Sequence, residues 1–164
     1  MNIKNKERGF TIIEVVLVLA IAGLIFLMVF IALPALQRGQ RDTQRKNDLS
    51  RFITAVTSYQ TNNRGALPSG TTGTATTTWT SMLNRYVLVN GDTFVDPSGT
   101  DYILVENTTG TAMPATTLFV AGTPNLRIIP GATCDGEGIT TAQGARKVAV
   151  QMKLEGSGIT CTNN

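Results

Sequence analysis

Residues 10–36, FTIIEVVLVLAIAGLIFLMVFIALPAL, contain a single carboxylate, Glu14, and no charge at all from Val15 to Leu36. About 20 apolar residues suffice for a helix to cross the hydrocarbon core of a bilayer. The run therefore predicts a membrane-spanning helix. An ionisable side chain inside such a span is costly and by default marks function. Glu14 lies one turn from the edge of the run, just after the charged residues 4–8.

Working outward, the stretch Gln37–Asn63 changes from apolar to amphipathic. Leu49, Phe52, Ile53, Val56 and Tyr59 recur at the three- and four-residue spacing of one helix face, with Arg45, Lys46, Asp48, Arg51, Thr54 and Ser58 on the others. This predicts one helix from about Phe10 to Thr61, near 80 Å long at about 1.5 Å per residue. Its first half suits a membrane and its second half suits the face of a sheet. Asn62-Asn63-Arg64-Gly65 supplies the stop, because Asn and Gly tolerate the left-handed conformation that ends helices. Pro34 removes a backbone hydrogen bond and predicts a kink, and Gly23 is a second weak point.

The 164 residues leave room for one further domain of about 100 residues and for no second globular domain. Ser69–Thr78 is rich in Gly and Thr, lacks periodicity and reads as a surface loop. Trp79–Val87 reads as a short helix with Trp79, Met82, Leu83 and Tyr86 on one side. Phe94–Tyr102 has turn chemistry in Pro97 and Gly99 ahead of a strand. Strands are expected at Tyr102–Glu106, Thr117–Ala121, Leu126–Ile129 and Lys147–Glu155, the last alternating cleanly. The fold class is α+β, a long N-terminal helix packed on a small antiparallel β-sheet head of three or four strands.

The segment Met1–Phe30 resembles the type IV pilin and pseudopilin signal: a short basic leader ending in Gly, then Phe, then Glu at the fifth position, then an apolar helix. Here Gly9, Phe10 and Glu14 occupy those places. The resemblance implies a leader 1–9, cleavage between Gly9 and Phe10 by a membrane-embedded prepilin peptidase, and N-methylation of Phe10. An ordinary secretory signal is cut after its apolar core, so it would lose this helix. The alternative is a signal-anchored protein whose Glu14 reaches the headgroups.

The implied division is leader 1–9, filament-core helix 10–36, amphipathic half 37–63, and head 64–164. Glu14 and the Phe10 amine would pair between subunits during assembly. In the family a stretch between a glycine and a proline is often melted; Gly23 matches that glycine, and Pro34 falls three residues beyond the usual proline. The Asp96-Pro97-x-Gly99-x-x-Tyr102 spelling resembles the segment before the first strand in many pseudopilins and some pilins. The implied topology exports Cys134 and Cys161, and an even pair in an oxidising location favours a disulfide. Closing that loop of roughly 28 residues stabilises by about 3–4 kcal/mol in the chain-entropy model. The pair resembles the boundary of the pilin D-region, a C-terminal surface loop.

Charge location weakens a nucleic-acid reading of the formal +3. Lys4, Lys6 and Arg8 against Glu7 lie in the leader, and from Arg64 onward six basic side chains meet seven acidic ones. The excess lies on the helix, where Arg38, Arg41, Arg45, Lys46 and Arg51 oppose Asp42 and Asp48, a solvated or intersubunit face. Basic residues flank both ends of the span, so the N-terminus is placed in the cytoplasm by the resemblance and not by charge.

The chain has no histidine, which removes imidazole-based triads and HExxH zinc sites, and it has no P-loop pattern. Asp135-Gly136-Glu137-Gly138 lacks an EF-hand pattern and reads as a solvated turn, and Asn107-Thr108-Thr109 fits a sequon that arises often by chance. No enzyme, cofactor or metal is expected. The resemblance implies a pilus subunit for adhesion, twitching motility or DNA uptake, located in the cytoplasmic membrane and then in an extracellular fibre. Its partners would be like subunits, the prepilin peptidase, an inner-membrane assembly platform and a host or neighbouring cell surface. A secretion-system pseudopilin and a membrane-anchored binding module are the alternatives.

Overall fold

A computed structural model describes residues 9–68, 75–107, 124–156 and 158–164. They fall into two compact units that divide between Arg38 and Gly39. The first is the N-terminal part of helix α1 (Ile12–Asn62), which is assigned as helix through both Gly23 and Pro34. Its apolar side chains stand exposed, Leu24, Phe30 and Ile31 among them.

In the second unit α1 supplies Leu49, Phe52, Ile53, Ala55 and Val56 to the core. The helix stops where the sequence predicts it. The N–H of Gly65 donates to the Gln60 carbonyl at 2.7 Å, while Arg64 (φ 56°) and Gly65 (φ 82°) turn through the left-handed region. That is the six-to-one bond of a Schellman stop, with an arginine at the position glycine usually takes.

Helix α2 spans Ala75–Tyr86 and buries Trp79, Met82 and Leu83, with Trp79 stacked on Phe52 at 5.9 Å. It begins one turn earlier than expected, so Ala75–Thr78 is helix and not loop. A turn ahead of Trp79 supplies carbonyls to N–H groups that a helix starting at Trp79 would leave without intrahelical partners.

The sheet has the order β1 (Ile103–Glu106), β2 (Asn125–Pro130), β5 (Val148–Lys153), β6 (Ile159–Asn163). The expected antiparallel sheet is corrected to a mixed one: β1 runs parallel to β2, with Leu104 opposite Leu126 and Glu106 opposite Ile128. Residues 107–124 separate these strands, enough chain for the crossover that parallel pairing requires. The expected strand Thr117–Ala121 lies outside the described residues. The pairs β2–β5 and β5–β6 are antiparallel.

Val148, Val150 and Met152 face the helix with Leu126 and Ile128. The opposite face is buried too, at Ile129 and Ala149. Its cover includes a hairpin that was not expected, β3 (Thr133–Asp135) and β4 (Gly138–Thr140), turning at Gly136 with φ 60°. Cys134 on β3 is disulfide-bonded to Cys161 on β6, with Cα atoms 5.7 Å apart. Between those cysteines lies the buried strand β5, so the bounded segment is more than a surface loop.

Candidate assembly site

Gly9 and Phe10 precede α1 and are exposed, Phe10 at 89%. Thr11 opens the helix. Its N–H and its hydroxyl both donate to Glu14 Oε2, at 2.9 and 2.8 Å, and the Glu14 N–H points back at Thr11 Oγ1 at 3.4 Å. This is a capping box: residue one and residue four of the motif each satisfy a backbone donor that the first helical turn leaves open. The spelling Thr11-x-x-Glu14 carries that signal, and reading Glu14 only as an assembly group missed it.

The cap engages one carboxylate oxygen. No hydrogen bond or ion pair reaches Oε1 among the described residues, so Glu14 holds a fixed orientation with an acceptor to spare. Beyond it α1 is long and apolar enough to cross a membrane. An exposed apolar band of this length needs lipid or other protein against it.

Charge in the second unit is handled differently. Arg45 grips Asp96 through two bonds, Nε to Oδ1 at 2.6 Å and Nη2 to Oδ2 at 2.9 Å, and also reaches Glu155 at 3.0 Å. Asp42 accepts the N–H groups of Glu155 and Gly156 at 2.7 and 2.9 Å, and Arg41 pairs with Glu155 at 3.1 Å. Tyr102 donates its hydroxyl to Asp48 at 2.9 Å, and Arg51 pairs with Asp92.

The expectation of a solvated or intersubunit face is therefore corrected for Arg45 and Asp48; Arg41 and Arg51 also find partners within the chain but keep 39% and 37% of their side chains exposed. Arg45 and Asp48 are buried. A buried charge persists only when paired and hydrogen-bonded, and these are. The signal was in the spacing: 45, 49, 52, 56 and 59 recur at four and three residues, which puts Arg45 on the apolar stripe itself.

The segment Asp96–Tyr102 explains its own spelling. The Asp96 N–H bonds the Thr100 carbonyl at 2.9 Å, Gly99 takes φ 86°, and Ser98 gives both its N–H and its hydroxyl to Asp96 Oδ2. A tight turn so presents Asp96 to Arg45 and Tyr102 to Asp48, two helix positions one turn apart. Burial alone would raise the Asp96 carboxyl; the hydrogen bonds from Arg45 and Ser98 outweigh it and hold the group below the usual range. Burial, and then the bond to Asp48, push the Tyr102 hydroxyl up.

The description that matches the chain is the prokaryotic N-terminal methylation motif, over residues 4–30. The chain is type IV pilin-like. Gly9, Phe10 and Glu14 of this pilin-like protein all fall inside the matched stretch. No curated protein and no solved structure matches. The motif points to a structural protein and implies processing by prepilin peptidase and assembly into pilus-like polymers. With the apolar half of α1 it fits a membrane-anchored precursor that is later assembled outside the cell.

Proposed function

We propose that the chain is a structural subunit of a type IV pilus. It is cut between Gly9 and Phe10, methylated on the new Phe10 amine, and polymerised through the apolar half of α1. The observation that carries this reading is Glu14. A carboxylate whose contacts among the described residues are confined to Thr11, at the head of an exposed apolar helix, is placed to receive a cation from another molecule as that helix leaves the lipid. The Phe10 amine of a neighbouring subunit supplies that cation, and the pair gives register to a surface that otherwise offers only non-directional apolar contact.

Shearing fibres from the cell surface and measuring the intact mass of their subunits tests this. Subunits that begin at methylated Phe10 are expected; subunits that retain residues 1–9 would count against the whole reading. The Asp96–Tyr102 spelling favours a second reading, a secretion-system pseudopilin. Deleting the gene would then leave surface fibres unchanged and stop export of a secreted protein.

A further inference from the structure

Most basic side chains of the α1 stretch Arg41–Arg51 are matched by an acid in the same chain, whereas those gathered at its far end meet no acidic side chain among the described residues. Arg64, Arg146 and Lys147 line two adjoining concavities of about 430 and 450 Å³ that share Arg64, Gly65 and Arg146. The Arg146 guanidinium lies against Gly65, where an added Cβ would sit 3.0 Å from it. Among the described residues no Asp or Glu side chain pairs with any of the three cations; the Lys147 ammonium donates to the Asn164 main-chain oxygen at 2.9 Å, and Glu106, which lines the second concavity, accepts the Trp79 indole N–H at 2.8 Å. Arg64 also holds φ 56°, where an L side chain is strained and glycine is not.

Unpaired acids lie at the other end of the same unit. Asp135 and Glu137 are exposed on the β3–β4 turn and have no ion pair among the described residues. Strand β5 fixes the separation. Gln60 donates to the Arg146 carbonyl at 2.7 Å, whereas Asp42 accepts the N–H groups of Glu155 and Gly156. The two ends of β5 are thus tied to helix positions roughly 27 Å apart at about 1.5 Å per residue. The hairpin turn sits toward the Asp42 end: Gln151 bonds the Glu137 carbonyl at 2.7 Å, and a Cβ on Gly158 would meet Glu137 Oε1 at 2.9 Å. Lys46 and Lys153 share that end, so the negative charge is local to the turn, two carboxylates against a net +2 in the groove once Glu106 is counted with its three cations.

We propose that the Arg64–Arg146–Lys147 groove of one subunit receives the Asp135–Glu137 hairpin turn of a second copy. The two surfaces differ and lie at opposite ends of the unit, so the contact is head-to-tail; such a contact either closes into a ring or repeats as an open filament, and the filament reading selects the second. This rests on the filament reading and names the surfaces that set the order of heads along it. Complementary charge guides encounter and suppresses wrong registers, and like-charge juxtaposition is penalised.

Two measurements test it. In the full chain, Arg64→Gly relieves the strained backbone, so the melting temperature of the detergent-solubilised subunit is expected to hold or rise. Combined with Arg146→Glu, it should lower fibre yield by about tenfold or more. Adding Lys147→Glu together with Asp135→Lys and Glu137→Lys, which reverses the sign on both surfaces, should restore fibres. Wild-type yield from the double variant, or no recovery from the swap, overturns the pairing. The second measurement needs no variant: fibres grown from mixed isotope-labelled and unlabelled subunits are treated with a zero-length carbodiimide. Mixed-isotope peptides joining Lys147 to Asp135 or Glu137 are expected, and Lys147 linked to neither overturns the proposal. A chain that makes no fibres at all sinks the filament reading, whereas normal fibres from the double variant sink only this contact.

Discussion

Between Ile12 and Leu36, helix α1 carries one carboxylate, whose contacts among the described residues stop at Thr11; between Arg41 and Arg51 the same helix carries a run of charges tied to Asp92, Asp96, Tyr102 and Glu155. In the second stretch most of the acceptors and donors are consumed inside the chain, the buried Arg41 Nε being an exception, so the charge serves the fold. In the first they are left partly open, so the charge is available to something else. Counting charges along the helix cannot separate these cases. What separates them is whether each group has exhausted its hydrogen-bonding capacity within the chain.

The largest expected effect falls on the open carboxylate. Glu14→Ala should leave membrane insertion and leader cleavage intact and cut fibre numbers by about a hundredfold, because it strands the Phe10 amine in an apolar core. Glu14→Gln sharpens the contrast, since glutamine can still close the capping box but cannot neutralise a cation. Electron microscopy of cells that carry each variant as the sole subunit reads both. If Glu14→Gln assembles normally, the carboxylate acts through the cap alone.

On the saturated side, Asp96→Ala should leave processing unchanged and destabilise the head by about 3–5 kcal/mol, since it leaves Arg45 buried without its main partner. Urea unfolding of the solubilised chain measures this. Removing the disulfide with Cys134→Ser and Cys161→Ser together should cost a comparable or smaller amount, about 3 kcal/mol. The site of damage should differ. Protease should cut first at the β3–β4 hairpin, which the disulfide fastens to β6, whereas Asp96→Ala should loosen Asp96–Tyr102 from α1.

Acid gives a smaller and graded version of the Asp96 experiment. The folded-state pKa of this carboxyl lies below its unfolded value of about 3.9, so the native state resists taking up a proton that the unfolded chain accepts. Its contribution is fully present above that unfolded value and fades as pH falls through the depressed folded one. Unfolding free energy followed from pH 5 downward should therefore decline in the wild type, and less steeply in Asp96→Asn. Equal slopes would assign the acid sensitivity to other groups.

Much of this was legible in the sequence because the physics was local. Apolar run length gave the first half of α1, three- and four-residue spacing gave Leu49, Phe52 and Val56, and clean alternation gave β5. Pairing direction was not legible, because β1 and β2 are joined through residues 107–124 and nothing local records how a long connection returns. The hairpin left a signal in Gly136-Glu137, a two-residue loop with glycine at its first position, but its strands of three residues are too short to show alternation. Strand β6, Ile159–Asn163, has β-branched residues at 159, 160 and 162 and was readable as a strand. The charged clasp was half legible: the spacing puts Arg45 on the apolar stripe, while its charge argues against burial. Binary patterning assigns Arg45 and Asp48 to solvent, and only the tertiary partners Asp96 and Tyr102 make their burial tolerable.

The smallest predicted effect is also the one that joins the two halves of the comparison. Thr11 spends two donors on Glu14 Oε2 and so fixes which way the carboxylate faces before any neighbour arrives. Thr11→Val keeps the size and apolar character of the segment and removes the hydroxyl, which leaves the backbone N–H as the sole donor from Thr11. An N-cap hydroxyl is worth about 1 kcal/mol, and a loss of that size corresponds to roughly a fivefold change in an equilibrium. The variant should therefore insert and be cleaved as the wild type, while its fibres form about fivefold less readily and Thr11→Ser recovers them. A yield from Thr11→Val as low as that from Glu14→Ala would mean that the hydroxyl itself meets the neighbouring subunit. A wild-type yield would mean that the amine finds Glu14 without help from the cap, leaving the carboxylate as the sole polar determinant of register in the first half of α1.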